Sequence, residues 1–184
     1  EELLSKGISF TKVSDQPVSW SFDSGVKLGS LTAKEKGYFE IQDHASQLAG
    51  ARIPAKTGEH WWDCCCGSGG KSLELIESVP GIHITATDSR ASILKNFRER
   101  TKLHHAQIST TVLNLEQPVG SKFFGVKFDG IVADVPCTGS GTWSRNPENL
   151  IFFKDVSIAA YSDRQKTIIR NALQFLKPGG TLVY

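Results

Sequence analysis

The chain has 184 residues, of which 39% are hydrophobic and 22% are charged. This balance is typical of one globular domain with a short appendage and excludes an intrinsically disordered chain. No apolar run approaches the length of a membrane span, and the first residues are not a signal peptide. The net charge of +2 is compatible with a nucleic-acid partner but does not by itself indicate one.

The two ends of the sequence indicate a fragment. The chain begins with Glu1 and contains no methionine, whereas a gene product starts with Met. Residues 181–184 have the pattern of the middle of a β-strand. We therefore expect a piece of a longer protein, or a sequence from which methionines have been lost.

Four cysteines are present, and they predict neither disulfides nor a metal site. Cys64, Cys65 and Cys66 are consecutive, so their side chains point apart and cannot easily pair. With Cys137 they do not form a paired Cys-x-x-Cys zinc pattern. We expect reduced thiols and no bound metal, and we interpret Cys64–Cys66 as packing residues.

The chain divides into an irregular first part and a regular second part. Residues 1–36 contain glycines and a proline that break any period, which predicts a connector or the tail of a preceding domain, so that the catalytic domain covers 37–184. A short turn and helix are expected near residues 45–48. Strands are predicted at 60–65, 83–87, 107–113, 128–133 and from 181, and helices at 71–78, 91–101 and about 160–176. Lys177-Pro-Gly-Gly180 is interpreted as the stop signal of the last helix.

Alternation of strands and helices at this spacing is typical of parallel βαβ units with right-handed crossovers. The fold class is therefore α/β, with a Rossmann-like, mostly parallel, doubly wound sheet that is truncated after its fifth strand. In such sheets ligands bind beyond the carboxyl ends of the strands.

A glycine loop lies where the first of these strands turns into its helix. Gly67, Gly69 and Gly70 allow the backbone to approach a ligand, with amides at the helix start facing it. A phosphate-binding P-loop is one hypothesis, because Gly70-Lys71-Ser72 matches its end, but that pattern requires glycine where Cys65 stands. Dinucleotide binding is another, but its third glycine would fall at Ser72.

Polar residues at successive strand ends favour an adenosine ligand. Asp63, Asp88 and Asn114 each follow or end a predicted strand, and an acid at the second strand end suits ribose hydroxyls. These residues do not separate a dinucleotide from S-adenosylmethionine. The sequence at the fourth strand favours S-adenosylmethionine over a dinucleotide.

The most specific motif follows that fourth strand. Asp134-x-Pro136-Cys137 resembles the substrate-base motif of nucleic-acid methyltransferases, with a cysteine where amino-group methyltransferases usually have an aromatic residue. Carbon 5 of cytosine is a poor nucleophile, and addition of a thiolate to carbon 6 creates an enamine-like ring that can attack a methyl donor. A carboxylate near the ring nitrogen would stabilise that adduct. The alternative is that Cys137 has no catalytic role and is a small buried hydrophobic residue in a turn.

These motifs together make the chain similar to the Sun (Fmu) family of RNA cytosine-5 methyltransferases. The resemblance extends over about residues 37–184. It rests on Phe39-Glu-Ile-Gln42-Asp43 with Ala45-Ser46-Gln47, Gly69-Gly70-Lys71, Asp88 with Arg98, Asp134-x-Pro136-Cys137-x-Gly139-x-Gly141-Thr142, Gln165, and Lys177 to Tyr184.

The resemblance implies a class I methyltransferase that modifies cytosine in rRNA or tRNA with S-adenosylmethionine as methyl donor. It assigns the donor site to Cys66, Gly67, Ser68, Gly69, Gly70, Lys71, Asp88, Arg90, Asn114 and Asp134. It makes Cys137 and Asp134 catalytic, with Cys137 in product release. The usual nucleophile is a second cysteine directly after the strand that ends at Tyr184, and the sequence does not contain it.

Two departures from the family follow. The loop reads Cys-Cys-Gly-Ser-Gly-Gly where many members have Ala-Ala-Pro-Gly-Gly. Because the main nucleophile is absent, we expect the chain as given to bind the donor weakly or not at all and not to methylate. A P-loop nucleotide-binding protein and a catalytically silent donor-binding module remain the alternatives.

RNA contacts are predicted beside the cysteine motif. Pro136 and Arg145 are the candidate RNA-binding residues, because they lie at or after the loop that carries Cys137. The basic run on the second helix, from Lys95 to His105, is interpreted as a solvated face. An RNA substrate implies a cytoplasmic protein, or a nuclear or nucleolar one in a eukaryote. The sequence does not predict the oligomeric state.

Overall fold

The computed structural model describes the whole chain except Gln16, Pro17, Ser24, His105, Ala106 and Arg145. The N-terminal part contains helix α1 (Glu2–Ser5), strands β1 (Phe10–Asp15) and β2 (Val18–Phe22), a 3₁₀ turn at Leu28–Ser30, and helices α2 (Thr32–Glu35) and α3 (His44–Gly50). β1 and β2 pair antiparallel and form a sheet of their own. This hairpin was not predicted from the sequence, because its faces are mostly exposed and show little apolar alternation.

The rest of the chain alternates strands and helices. It comprises β3 (His60–Asp63), α4 (Gly70–Ser78), β4 (His83–Asp88), α5 (Ala91–Thr101), β5 (Gln107–Val112), β6 (Phe128–Val132), 3₁₀ helices at Ser140–Thr142 and Pro147–Phe152, α6 (Val156–Leu173) and β7 (Leu176–Val183). The five strands form one sheet in the order β5-β4-β3-β6-β7, and every pair is parallel. The predicted doubly wound α/β fold is therefore confirmed.

The central strand β3 shows why the sheet is covered on both faces. Trp61 and Trp62 are adjacent, so their side chains point to opposite faces, yet both are almost completely buried. Trp61 packs with residues of α4 and α5, and Trp62 packs with residues of α6. The indole of Trp61 lies so close to β6 that a Cβ at Gly130 would come within 2.3 Å of it. Helices on both faces are what an all-parallel sheet requires.

The last helix and strand differ from the prediction. α6 ends at Leu173, and β7 begins at Leu176 instead of residue 181. Lys177-Pro-Gly-Gly180 lies within β7 as an irregularity, because Phe128 pairs with Leu176 whereas Gly130 pairs with Thr181. Gly179 has φ +76°, which favours glycine. The Pro-Gly-Gly signal thus marks a bulge inside a strand and not a helix stop.

Among the described residues, no helix is both long enough and apolar enough to cross a membrane. No group of three or more His, Cys, Asp or Glu side chains in the described part of the chain is arranged to hold a metal ion. The four cysteines are not paired with one another in the structure. Cys64 and Cys66 are buried in the cores on opposite faces of the sheet, which agrees with their interpretation as packing residues.

Candidate active site

The glycine loop between β3 and α4 is held in a shape that only glycine adopts easily. Gly67 and Gly69 have φ of +52° and +90°. A Cβ at Gly69 would lie 2.2 Å from the ring of Phe97, so the loop is also pressed against α5. The loop leads directly into α4, whose first amide groups face the space beyond the sheet. Close approach of this backbone to a ligand remains a prediction.

Asp88 ends β4 beside this loop. Its Oδ2 accepts hydrogen bonds from the Gly67 N–H at 3.1 Å and from Nη2 of Arg90 at 3.0 Å. Its Oδ1 accepts from the backbone N–H and from Nε of Arg90, both at 2.9 Å. Burial alone would raise the pKa of Asp88, but these hydrogen bonds outweigh it and hold the pKa below its usual value. The side chain is therefore an ionised acceptor at neutral pH.

Asn114 follows β5 on the other side of Asp88. Its Oδ1 accepts a hydrogen bond from the Glu116 N–H at 3.0 Å, which fixes the orientation of the side-chain amide. The Leu113 N–H donates to the Asp88 carbonyl at 3.1 Å and ties the two strand ends together. Asp88 and Asn114 thus line one side of the same cavity.

Asp134 follows β6 and meets the glycine-loop lysine. Nζ of Lys71 lies 2.6 Å from Oδ2 of Asp134, and 3.5 Å from Oγ of Ser46 on α3. Behind this pair, Asp63 is buried and accepts a hydrogen bond from Oγ of Ser72 at 2.7 Å. Burial raises the pKa of Asp63 to about 6. The carboxylate that faces outward is Asp134, and Asp63 supports the loop from within.

Cys137 lies on the loop that follows Asp134. The thiol is exposed, and its Sγ accepts a hydrogen bond from the Gly139 N–H at 3.4 Å. Gly139 has φ +75°, which lets the backbone turn back toward the sulfur. The preceding carbonyl, that of Pro136, accepts a hydrogen bond from Nε2 of Gln165 at 2.8 Å. The alternative of a small buried hydrophobe does not fit this exposed thiol.

A single cavity of about 650 Å³ connects these features. Its volume is in the range usual for cofactor-sized ligands. The predicted site residues that line it are Cys66, Gly67, Ser68, Gly70, Lys71, Asp88, Arg90, Asn114, Asp134 and Pro136. Gly69 shapes the loop from behind, and Cys137 lies next to the cavity, directly after Pro136. Arg145 lies outside the described residues, so its predicted RNA contact remains a prediction.

Several lining residues were not predicted. Glu116 and Arg164 form an ion pair at 2.6 Å at the edge of the cavity. They come from the turn after β5 and from α6, and no local sequence signal marks them. Gln42 and Ser46 also line the cavity, and Gln42 donates to Ser46 Oγ at 3.1 Å. Their only signal was membership of the segment on which the family resemblance rests.

The geometry agrees with comparisons against known proteins. Residues 52–184 match the family model described as 16S rRNA methyltransferase RsmB/F. A protein of Vibrio cholerae serotype O1 named Ribosomal RNA small subunit methyltransferase B is 33% identical over 150 residues, which cover 81% of this chain and 34% of that protein. The protein of the same name from Pasteurella multocida is 28% identical over 99% of this chain and 42% of its own length. The chain therefore spans less than half of these relatives.

Two solved structures share the fold over nearly the whole chain. The structure described as NSun6 from Pyrococcus horikoshii with SFG has a TM-score of 0.75 and 25% identity, over 90% of this chain and 42% of that one. The structure of a methyltransferase homolog protein from Pyrococcus horikoshii has a TM-score of 0.71 and 25% identity, over 98% and 56% of the two chains.

Proposed function

Because the chain belongs to the RsmB/F family of 16S rRNA methyltransferases, we propose that the protein methylates carbon 5 of a cytosine in RNA, with S-adenosylmethionine as donor. The observation that carries this proposal is the continuity of one cavity from Asp88 to Asp134 and Pro136. A ligand held by its ribose at Asp88 would extend toward the carboxylate of Asp134 and the loop that carries Cys137.

The residues present fit the donor. Asp88 is an ionised acceptor for ribose hydroxyls, and the amides at the start of α4 suit a carboxylate. Asn114 lies at the next strand end, where an adenine ring would follow the ribose. The guanidinium of Arg90 occupies both oxygens of Asp88 in this structure. Because the Arg90 side chain is 62% exposed, we assign it to turning aside so that the ribose hydroxyls reach Asp88 and then closing the pocket. When bound, the donor supplies an electrophilic methyl group on sulfur.

Lys71 and Asp134 would prepare the cytosine. The Lys71 ammonium fixes one carboxylate oxygen of Asp134, and Asp134 itself is 61% exposed at the mouth of the cavity. The free oxygen can hold a proton shared with the ring nitrogen when a thiolate of the complete protein adds to carbon 6. That addition turns carbon 5 into a nucleophile.

Cys137 would complete the reaction. After methyl transfer, the proton on carbon 5 must leave so that the bond between the enzyme sulfur and carbon 6 can break. We assign this proton removal to Cys137, because its side chain is exposed next to Pro136 and Asp134. The Cys137 sulfur, once deprotonated, would take the carbon 5 proton while the electrons of that C–H bond form the ring double bond and expel the enzyme sulfur from carbon 6. The ring then regains its double bond between carbons 5 and 6, and the enzyme thiolate is restored.

The names of the relatives favour ribosomal RNA of the small subunit as the substrate. RNA binding is proposed for the surface around Pro136. Arg145, which lies outside the described residues, is a further RNA-binding candidate from its place in the sequence after the Cys137 loop. Such a substrate places the protein in the cytoplasm, or in the nucleus or nucleolus of a eukaryote. The boundary between a connector at residues 1–36 and a catalytic domain from residue 37 is part of the same proposal.

Calorimetric titration of the complete protein with S-adenosylhomocysteine, and in parallel with ATP and magnesium, tests the proposed function. We expect binding of S-adenosylhomocysteine alone, weakened by Asp88→Ala. Binding of ATP alone would instead support the P-loop alternative with Lys71 as phosphate ligand.

A further inference from the structure

One side-chain amide on α6 connects the cysteine loop to the end of β7. Nε2 of Gln165 donates to the Pro136 carbonyl at 2.8 Å, and Oε1 of Gln165 accepts from the Tyr184 hydroxyl at 2.7 Å. Gln165 is half-buried between these two partners. It therefore bridges the loop that follows β6 and the residue that directly follows β7, two neighbouring strands of the sheet.

The partners determine which way the amide faces. A carbonyl oxygen can only accept a hydrogen bond, so the NH₂ group of Gln165 must point to Pro136. The Tyr184 hydroxyl can donate, so it matches the amide oxygen. A glutamine at this position satisfies both partners at once, whereas a glutamate would place an acceptor against the Pro136 carbonyl.

The bond to Pro136 acts directly on Cys137. The carbonyl of Pro136 and the nitrogen of Cys137 belong to the same planar peptide group. A hydrogen bond to this oxygen therefore fixes the peptide plane that leads into the Cα atom of Cys137. The Gly139 N–H holds the sulfur at the end of the side chain.

The backbone around Cys137 has little other support. The Ala133 N–H donates to the Val183 carbonyl at 2.8 Å, and the next backbone–backbone bond along the chain is accepted by Gly139. Among the described residues, positions 134–138 make no backbone–backbone hydrogen bond. The side chain of Gln165 replaces that missing support.

We propose that Gln165 is a positioning residue that sets the orientation of the Cys137 thiol by holding the Pro136–Cys137 peptide group. This inference rests on the proposed function only for its effect on methylation. Its effect on the thiol itself is independent of any activity.

The test compares variants of the complete protein by the alkylation rate of Cys137. Iodoacetamide is the probe, and peptide mass spectrometry separates Cys137 from Cys64, Cys65 and Cys66. The variants are Gln165→Glu, which keeps the shape and loses the donor, and Gln165→Met, which keeps the length and loses both bonds. Gln174→Met is the matched control, because Gln174 directly follows α6 and its Nε2 donates to the Val119 carbonyl at 3.0 Å instead of to the cysteine loop.

We expect both Gln165 variants to change the alkylation rate of Cys137 by about threefold or more, since loss of one hydrogen bond frees the loop. Gln174→Met should leave the rate unchanged. Single-turnover methylation of RNA should fall about tenfold in Gln165→Glu, with the affinity for S-adenosylhomocysteine within about twofold of the parent. If one variant fails to fold, as judged by circular dichroism, the other provides the comparison.

An alkylation rate of Cys137 that is the same in a folded Gln165 variant as in the parent protein would overturn the inference. So would equal changes in the Gln165 and Gln174 variants. If the parent protein neither binds S-adenosylhomocysteine nor methylates RNA, the proposed function fails, and the alkylation rates still decide the role of Gln165.

Discussion

The ammonium of Lys71 and the carboxylate of Asp134 lie 2.6 Å apart, although 63 residues separate them in the chain. They meet because β3 and β6 are parallel neighbours, so the loops at their carboxyl ends leave the sheet side by side. The pair lies between the loop proposed to bind the donor and the loop that carries Cys137. It therefore connects the two halves of the proposed site.

Removal of the Lys71 charge should impair methyl transfer. In Lys71→Met, Asp134 loses the ammonium that orients it, and we expect single-turnover methylation to fall about 100-fold, the scale of one acid–base contribution. Lys166→Met is the control, because Lys166 pairs with Asp163 on an exposed face of α6. Equal rates in the two variants would contradict the role given to the Lys71–Asp134 pair.

Asp88 should dominate the affinity for the donor. Asp88→Ala removes an ionised acceptor for ribose hydroxyls and also the partner of the Gly67 N–H. Hydrogen bonds to charged groups contribute about 1.5–3 kcal/mol each, so we expect S-adenosylhomocysteine to bind about 10- to 100-fold more weakly by calorimetry. Asp163→Ala, which removes an exposed carboxylate from α6, should bind like the parent protein. A donor affinity unchanged by Asp88→Ala would place the ribose elsewhere.

The two left-handed glycines of the loop offer a matched pair. A Cβ at Gly69 would meet Phe97 at 2.2 Å, whereas a Cβ at Gly67 would meet nothing within 4 Å. Gly67→Ala should therefore cost only the strain of its positive φ, about 1 kcal/mol of unfolding free energy. Gly69→Ala adds a steric clash and should cost about 3 kcal/mol or more. Urea unfolding measures both, and equal losses would show that the contact with Phe97 is unimportant.

The buried carboxyl of Asp63 should make stability depend on pH. Its pKa is raised by burial to about 6 in the folded protein, from 3.8 when exposed. The folded state then binds more protons than the unfolded state between about pH 4 and 6, so the stabilising effect of the neutral form is lost as pH rises through this window. Asp63→Asn cannot ionise, and its amide oxygen can still accept from Ser72.

As pH rises from 4 to 7.5, the free energy of unfolding of Asp63→Asn should therefore increase relative to that of the parent protein by up to about 3 kcal/mol. Urea unfolding at both pH values gives the difference. If the difference in unfolding free energy between variant and parent is the same at both pH values, burial does not raise the pKa of Asp63.

The resemblance to the Sun family, drawn from the motifs, is confirmed by the family match over residues 52–184. The parallel sheet was predictable because β3, β4 and β6 end at or shortly before Asp63, Asp88 and Asp134, and helices separate most of the consecutive strands. α5 was predicted with its observed bounds, since charged residues cover one face and Leu94 and Phe97 are buried on the other.

What escaped prediction depends on contacts between distant segments. The β1–β2 hairpin has mostly exposed strands, so it lacks the alternation that marks a half-buried strand. The bulge in β7 reads locally as a helix stop, and only pairing with β6 reveals the strand. The hydrogen bonds of Gln165 join α6 to Pro136 in the loop after β6 and to Tyr184 after β7. No local sequence pattern predicts contacts between such distant segments.

The most direct test of the proposed function is the identity of the methylated nucleoside. The complete protein would be incubated with small-subunit rRNA and S-adenosylmethionine carrying a labelled methyl group, and the RNA digested to nucleosides for mass spectrometry. We expect the label in 5-methylcytidine, and in Cys137→Ala a protein–RNA complex that survives denaturation, because release is blocked. Label in a different nucleoside, or no label from a protein that binds ATP with magnesium, would contradict cytosine-5 methylation as the function of this protein.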